Sequence, residues 1–383
     1  MRVIYLDNNA TTMVAPEVVE VMLPYFTDRY GNASSMHSFG GQLDKAMLHA
    51  REQTAQLIGA SPDEIVYTSC GTESDSTAIM AALQTQPEKR HIVTTAVEHP
   101  AIVTLCQHLE TRGYDVTLLG VDEQGRLNLD ELASSLRRDT AIVSIMSANN
   151  ETGTMFPMQR IADIVKERGI LLHTDAVQTV GKESINLATL PVDYLSLSGH
   201  KLHAPKGIGV LYVRKGARFR PFLRGGHQEH SRRAGTENVP YIIGLGRAAE
   251  LICRTMDADT LLMRRLRDKL EQNLLTIADT RVNGDPEHRL PNTSNVSFKF
   301  IEGEAILLHM DRHGICASSG SACTSGSLEP SHVLRAMNVP FTFVHGSIRF
   351  SLSRYTTEAD IDDTLAVMPS IISSLRAISP FRK

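Results

Sequence analysis

The stretch Ile170-Leu171-Leu172-His173-Thr174-Asp175-Ala176-Val177-Gln178 decides the fold class. A short, largely apolar run ends on an acid and passes at once into small and polar residues, as expected of a buried strand that delivers a polar group at its carboxyl end. Working outward, comparable runs stand at Ile65 to Thr68, His91 to Thr94, Val116 to Leu119, Ala141 to Ile145, Tyr194 to Leu197 and Gly209 to Val213, with helical patterns between them. Seven such runs predict an α/β fold with a mainly parallel seven-stranded sheet. Leu262, Leu266, Leu270 and Leu274 then recur every fourth residue, predicting a long amphipathic helix that leaves the sheet region. A smaller α+β domain is expected beyond it, with strands around Asn295 to Phe300 and Ser347 to Leu352. Its last helix is expected to start at Thr356-Thr357-Glu358-Ala359-Asp360, where hydroxyls and acids suit a helix amino end. The expected division is a large domain over 15–258 and a small domain made of 1–14 and 259–383.

Composition narrows the function classes. The chain has 383 residues with 39 Lys plus Arg against 43 Asp plus Glu, a net charge of -4, so no basic excess points to nucleic acid or to an acidic membrane surface. The opening Met1-Arg2-Val3-Ile4-Tyr5-Leu6-Asp7-Asn8-Asn9 reaches charge and amide too soon for a signal-peptide apolar region, and no later run approaches membrane-spanning length. The cytoplasm is the expected compartment. Cys70, Cys106, Cys253, Cys316 and Cys323 are odd in number, scattered and free of C-x-x-C spacing, which predicts free thiols rather than disulfides or a zinc site. His200 with His203, and His227 with His230, have the spacing of one helical face, but both pairs lie in Gly- or Pro-containing segments without supporting ligands, so no metal is expected.

In an open α/β sheet ligands bind at the carboxyl ends of strands, and polar residues cluster there. Lys201, in Ser198-Gly199-His200-Lys201, follows a buried strand, where a partly desolvated amine suits Schiff-base chemistry. Read alone, the segment favours a surface lysine in a turn. Asp175 can pair with the protonated ring nitrogen of pyridoxal phosphate, and Gln178 can donate to that cofactor's phenolic oxygen; the plain alternative is a helix-capping Asp followed by a solvated Gln. Ser69-Cys70-Gly71-Thr72-Glu73-Ser74 runs from strand to helix, so Gly71 and Thr72 are expected to present backbone N–H groups to a phosphate. His99 could stack on a flat ring or move a proton. Cys323 stands in Ala317-Ser318-Ser319-Gly320-Ser321-Ala322-Cys323-Thr324-Ser325-Gly326-Ser327, a run with no side chain large enough to pack a core, which suits a thiol that collects a group in one place and delivers it in another.

These residues, with Tyr5-Leu6-Asp7-Asn8-Asn9-Ala10-Thr11-Thr12, Tyr30-Gly31-Asn32-Ala33-Ser34-Ser35, Asn149-Asn150-Glu151-Thr152-Gly153, Arg233-Ala234-Gly235-Thr236-Glu237-Asn238 and Leu328-Glu329-Pro330-Ser331-His332, make the chain resemble the NifS/IscS group of cysteine desulfurases over nearly its whole length. The resemblance implies the aspartate-aminotransferase-like fold type I of the class V aminotransferases and pyridoxal 5′-phosphate as cofactor. It implies that Lys201 bonds the cofactor, Asp175 pairs with the ring nitrogen, His99 stacks on the ring, and Gln178 and Asn150 lie on the phenolic side. Gly71, Thr72, Ser198 and His200 would hold the phosphate, with Thr236 reaching the phosphate of a second subunit in a homodimer. Arg349 would grip the α-carboxylate of free L-cysteine, and Cys323 would take its sulfur as a persulfide destined for an iron–sulfur scaffold protein.

Two departures stand out: Cys70 occupies a position often filled by Gly, and Ser76 one where Asn is frequent. The ending at Lys383, without a longer tail, favours the nitrogenase-associated NifS branch as an expectation. Competing readings are a selenocysteine lyase, an aminotransferase, and, outside enzymes, a sulfur-carrier or assembly scaffold. The first two would not need Cys323, and the last would not need Lys201 or Asp175.

Overall fold

The computed structural model describes residues 2–319 and 330–380. In chain order its strands are β1 (Ile4–Tyr5), β2 (Ile65–Thr68), β3 (His91–Thr95), β4 (Asp115–Leu119), β5 (Thr140–Ser144), β6 (Leu171–Asp175), β7 (Tyr194–Ser198), β8 (Gly209–Val213), β9 (Thr280–Asn283), β10 (Thr293–Phe298), β11 (Ile315–Cys316), β12 (Ser318–Ser319) and β13 (Ser347–Ser351). Strands β2 to β8 form one seven-stranded sheet in the order β2-β8-β7-β6-β5-β3-β4. Only β8 runs antiparallel to its neighbours β2 and β7. Strands β3, β5, β7 and β8 are buried along their whole length. Helices cover both faces of such a sheet, which is why these runs read as continuously apolar rather than alternating. The edge strand β4 keeps exposed positions. The predicted α/β class and all seven runs are therefore present.

The helix Gly71–Thr85 lies against this sheet through small residues, Ser74, Ala78, Ala81 and Ala82. The long helix extends over Val239–Leu274 and so begins far upstream of the leucine ladder. Its amino half, with Ile242, Leu245 and Ile252, packs into the main core; Met263, Leu266, Leu270 and Leu274 pack into a second core with Val296, Phe298, Ile348 and Phe350. The last helix, Glu358–Ile378, starts as predicted. Thr357 Oγ1 accepts from the Asp360 N–H at 3.2 Å while Asp360 Oδ2 accepts from the Thr357 N–H at 2.8 Å.

The second sheet has the order β12-β13-β10-β9, with Arg349 of β13 opposite Asn295 of β10. The amino-terminal segment ties it to the large sheet. β1 pairs with β11, Leu6 and Asn8 bond the backbone of Ser351, and Thr12 accepts its place through an N–H donated to the His200 carbonyl at 3.0 Å.

A candidate active site at the carboxyl ends of the sheet

A cavity of about 460 Å³ opens where β2, β6 and β7 end, and Arg349 reaches it from the second sheet. Asp175 is the last residue of β6 and is 7 % exposed; Oδ1 accepts from the Val177 N–H at 2.9 Å. Burial raises its pKa, and the nearby Lys201 ammonium pulls it back. Behind it lies Asp75, a fully buried carboxyl held well above its ordinary value by burial and by the charge of Asp175. Lys201 closes a single 3₁₀ turn, Gly199–Lys201, directly after β7. Its Nζ donates to the Ala10 carbonyl at 2.7 Å and to the Asn9 carbonyl. Gln178 Nε2 donates to the same Asn9 carbonyl at 3.0 Å. Asn150 lines the cavity and offers its carbonyl to Asn9 Nδ2 at 3.1 Å and to Arg349 Nη1 at 3.2 Å.

His99 caps the helix Pro100–Glu110, its Nδ1 accepting from the Ala101 N–H at 3.1 Å. That bond places the ring proton on Nε2, and burial together with the Lys201 and His332 charges holds the pKa down at about 4, so the ring is neutral. To take a proton at Nε2, His99 would first have to release the Ala101 cap.

A phosphorylated cofactor fits the residues at the β2 and β7 ends. The helix Gly71–Thr85 has no side-chain cap, with Cys70 extended at φ -172° and ψ 174°, so its first-turn N–H groups have no capping side chain. A Cβ on Gly71 would lie 2.9 Å from Val177 Cγ2, which is why this corner takes glycine. Ser198 Oγ is buried and has no hydrogen-bond partner among the described residues, an orphan that a phosphate oxygen would satisfy. His200 Nδ1 contacts Thr11 Oγ1 at 3.1 Å, and burial holds its pKa at about 4.

Arg349 is 3 % exposed. One arm of its guanidinium pairs with Asp7 Oδ1 at 2.7 Å, while Nε has no partner among the described residues. The fork is thus oriented by Asp7 and still has a donor to offer a carboxylate.

The structure brings Gly71, Thr72, His99, Asn150, Asp175, Gln178, Ser198, His200, Lys201 and Arg349 around one cavity. Thr236 is exposed and does not line it. Cys323, with Leu328 and Glu329, lies outside the described residues. Asn9, Asp75 and Glu151 also line the cavity without a role in the sequence reading. Glu151 is a fully buried carboxyl with its pKa pushed up to about 7, held by Ser331 Oγ at 2.5 Å. Its adjacency to Asn150 was the only available signal.

A lysine and a carboxylate at adjoining strand ends, beside an uncapped helix amino end, define the site of a fold type I α/β enzyme. The model of the aminotransferase class-V family matches residues 4–364. The chain is 65 % identical over 383 residues to a cysteine desulfurase of Trichormus azollae, covering 100 % of this chain and 96 % of that protein. It is 57 % identical over 380 residues to the cysteine desulfurase NifS of Azotobacter vinelandii, covering 99 % and 94 %. Among solved structures, a NifS-like protein superposes with a TM-score of 0.92 at 40 % identity, covering 98 % of this chain and 100 % of that one. The chain belongs to the class-V aminotransferase family, in its cysteine desulfurase branch.

Proposed function

We propose that this protein is a pyridoxal-phosphate-dependent cysteine desulfurase that moves the sulfur of free L-cysteine onto Cys323 and releases L-alanine. The balance is closed: the Cβ–S bond of the substrate and the S–H bond of Cys323 break, an S–S bond forms at Cys323, and the proton released by Cys323 balances the hydrogen that replaces sulfur on carbon. The observation that carries the reading is the meeting of Lys201, Asp175 and Arg349 at one cavity. When bound, the cofactor supplies an electron-poor ring that takes up negative charge from the substrate α-carbon. Asp175 would keep that ring nitrogen protonated, and Gly71, Thr72, Ser198 and His200 would hold the phosphate. Gln178 and Asn150 would lie on the phenolic side and His99 over the ring. Arg349 would bind the substrate carboxylate, and Lys201 would move the α-proton. Cys323 follows Ser319, whose strand pairs with that of Arg349, and precedes Pro330, which lines the cavity, so the chain enters and leaves its segment beside the site.

The sulfur acceptor is proposed to be an iron–sulfur scaffold protein, in the cytoplasm and in the service of nitrogenase assembly. No helix among the described residues is long and apolar enough to cross a membrane. We take the protein as a homodimer in which Thr236 reaches the partner's phosphate. In the loop just before Thr236, Glu229, His230 and Ser231 hold φ of 50°, 55° and 63°, a run of non-glycine residues in the left-handed region. Arg51 pins the run through Glu229 at 2.7 and 3.0 Å, and Arg233 ties the same loop to Glu73 beside Gly71 at 2.8 Å. The division into 15–258 and 1–14 plus 259–383 is supported by Ile4 and Leu6, which share the second core with β10 and β13.

The reading is tested by incubating cofactor-loaded protein with L-cysteine and a thiol reductant. Alanine and sulfide should appear in equal amounts; a keto acid in place of alanine would instead make it an aminotransferase. Ser198→Ala tests the phosphate cradle. Losing one hydrogen bond to a charged oxygen should weaken cofactor affinity about tenfold. The cofactor-free protein should melt no lower than wild type, because an unsatisfied buried hydroxyl is gone. Unchanged cofactor affinity would remove Ser198 from the cradle.

A further inference from the structure

Lys182 lies four residues beyond Gln178 and has no part in the reaction as described above. It is 8 % exposed, and a lysine is seldom found so buried unless something holds it. Gly181 before it holds φ +79°, and a Cβ there would lie 2.9 Å from Leu202 Cδ2, so this tight turn takes glycine. Nζ donates to the Gln178 carbonyl at 2.9 Å and to Gln178 Oε1 at 3.2 Å. Among the described residues it makes no ion pair, so no carboxylate accounts for its burial.

Its position has one consequence for orientation. An ammonium only donates, so the amide oxygen of Gln178 must face Lys182 and the amide nitrogen must face the Asn9 carbonyl. That nitrogen carries two N–H groups. One is used by Asn9, leaving the other for a group in the cavity that Gln178 lines.

The other consequence concerns charge. Burial, with the charges of Lys201 and Arg349, lowers the pKa of Lys182 to about 7. Lys182 and Lys201 also line one small cavity with Leu202 and His203, so two like charges face the same space and repel. The same field reaches His200 and His203, both held near 4 mainly by burial. The remaining charged groups bordering this space are Asp259 and Arg354, which pair with each other at 3.5 Å, and Asp175 beyond Lys201.

We infer that Lys182 is a positioning residue: through Gln178 it fixes an N–H donor on the cavity, and it sets a second positive charge beside Lys201. The inference rests on the roles proposed above for Lys201 and Gln178 toward the cofactor.

The test loads wild type, Lys182→Arg, Lys182→Gln and Lys182→Met with pyridoxal phosphate and follows visible absorbance against pH, which reports protonation at the nitrogen joining Lys201 to the cofactor. Lys182→Gln keeps a donor but loses the charge, and its midpoint should rise by roughly one pH unit. Lys182→Arg, whose charge is permanent, should hold the midpoint at or below the wild-type value. Lys182→Met should rise like the Gln variant and in addition retain cofactor less well, because Gln178 can then turn over. If the Met variant fails to fold, the Arg and Gln variants still decide the charge effect. Midpoints equal to wild type in the uncharged variants, with only melting temperature changed, would reduce Lys182 to a structural role. Absence of any cofactor band in wild type would overturn the parent reading, and this one with it.

Discussion

Lys201→Ala is expected to abolish multiple turnover of L-cysteine while leaving the cofactor bound. Lys201 is the amine that can exchange a proton at the substrate α-carbon, and a positioned acid–base group contributes roughly 10²- to 10⁴-fold to such a step. Its loss also removes the group that bonds the cofactor, so alanine formation should fall by about 10³-fold or more. Retention of cofactor is expected because the phosphate cradle is assembled from other elements: the uncapped start of the helix Gly71–Thr85, the orphan Ser198 hydroxyl and His200. Lys201→Arg should not restore activity, since a guanidinium stays protonated at any working pH. Absorbance of the purified variants gives cofactor content, and alanine release gives turnover. Turnover by Lys201→Ala within tenfold of wild type would assign the proton step to another residue; Lys182 would then be the first to examine, because burial has already lowered its proton affinity.

The sheet was legible because its strands are buried on both faces and carry β-branched runs that stop at polar residues. The acid of β6 and the lysine after β7 could be placed without any partner in view, since strand ends are where an open sheet binds ligands. The long helix was legible only in its second half. Upstream of Leu262 the sequence holds Pro240, Gly244 and Gly246, which argue against helix locally. A Cβ at Gly246 would fall 2.6 Å from Ala50 Cα, so that glycine marks the close approach of the helix Asp44–Leu57 rather than a break. The other unread features are pairings between distant parts of the chain. Asp7 orients Arg349 from 342 positions away, and Glu151 receives Ser331 from 180 positions away. Lys182 was unread for a different reason: a lysine four residues past a site residue looks like solvent-facing charge until its Nζ is seen buried on the Gln178 carbonyl.

Cys323→Ala is expected to keep both ligands and lose the chemistry. Lys201, Asp175 and Arg349 remain, so cofactor content and the absorbance change on adding L-cysteine should match wild type. Alanine and sulfide release should fall by roughly 10³-fold or more, the scale on which removal of an essential nucleophile acts. Wild type given L-cysteine without reductant should gain one sulfur atom on the peptide containing Cys323, removable by a thiol. The other cysteines differ in their capacity to compete. Cys106 is 1 % exposed and burial pushes its pKa up to about 12, which leaves no thiolate. Cys316 and Cys253 are also raised, in both cases chiefly by burial. Cys70 is the informative control, because it lines the cavity at the start of the helix Gly71–Thr85. Sulfur found on Cys70, with activity lost in Cys70→Ala rather than Cys323→Ala, would move the acceptor to the cofactor side of the site. Full activity of Cys323→Ala on L-cysteine, with no sulfur on any cysteine, would make the enzyme a lyase. Activity of that variant on selenocysteine alone is compatible with the transfer mechanism, since selenium leaves carbon more readily than sulfur and the thiol reductant in solution can receive it in place of Cys323.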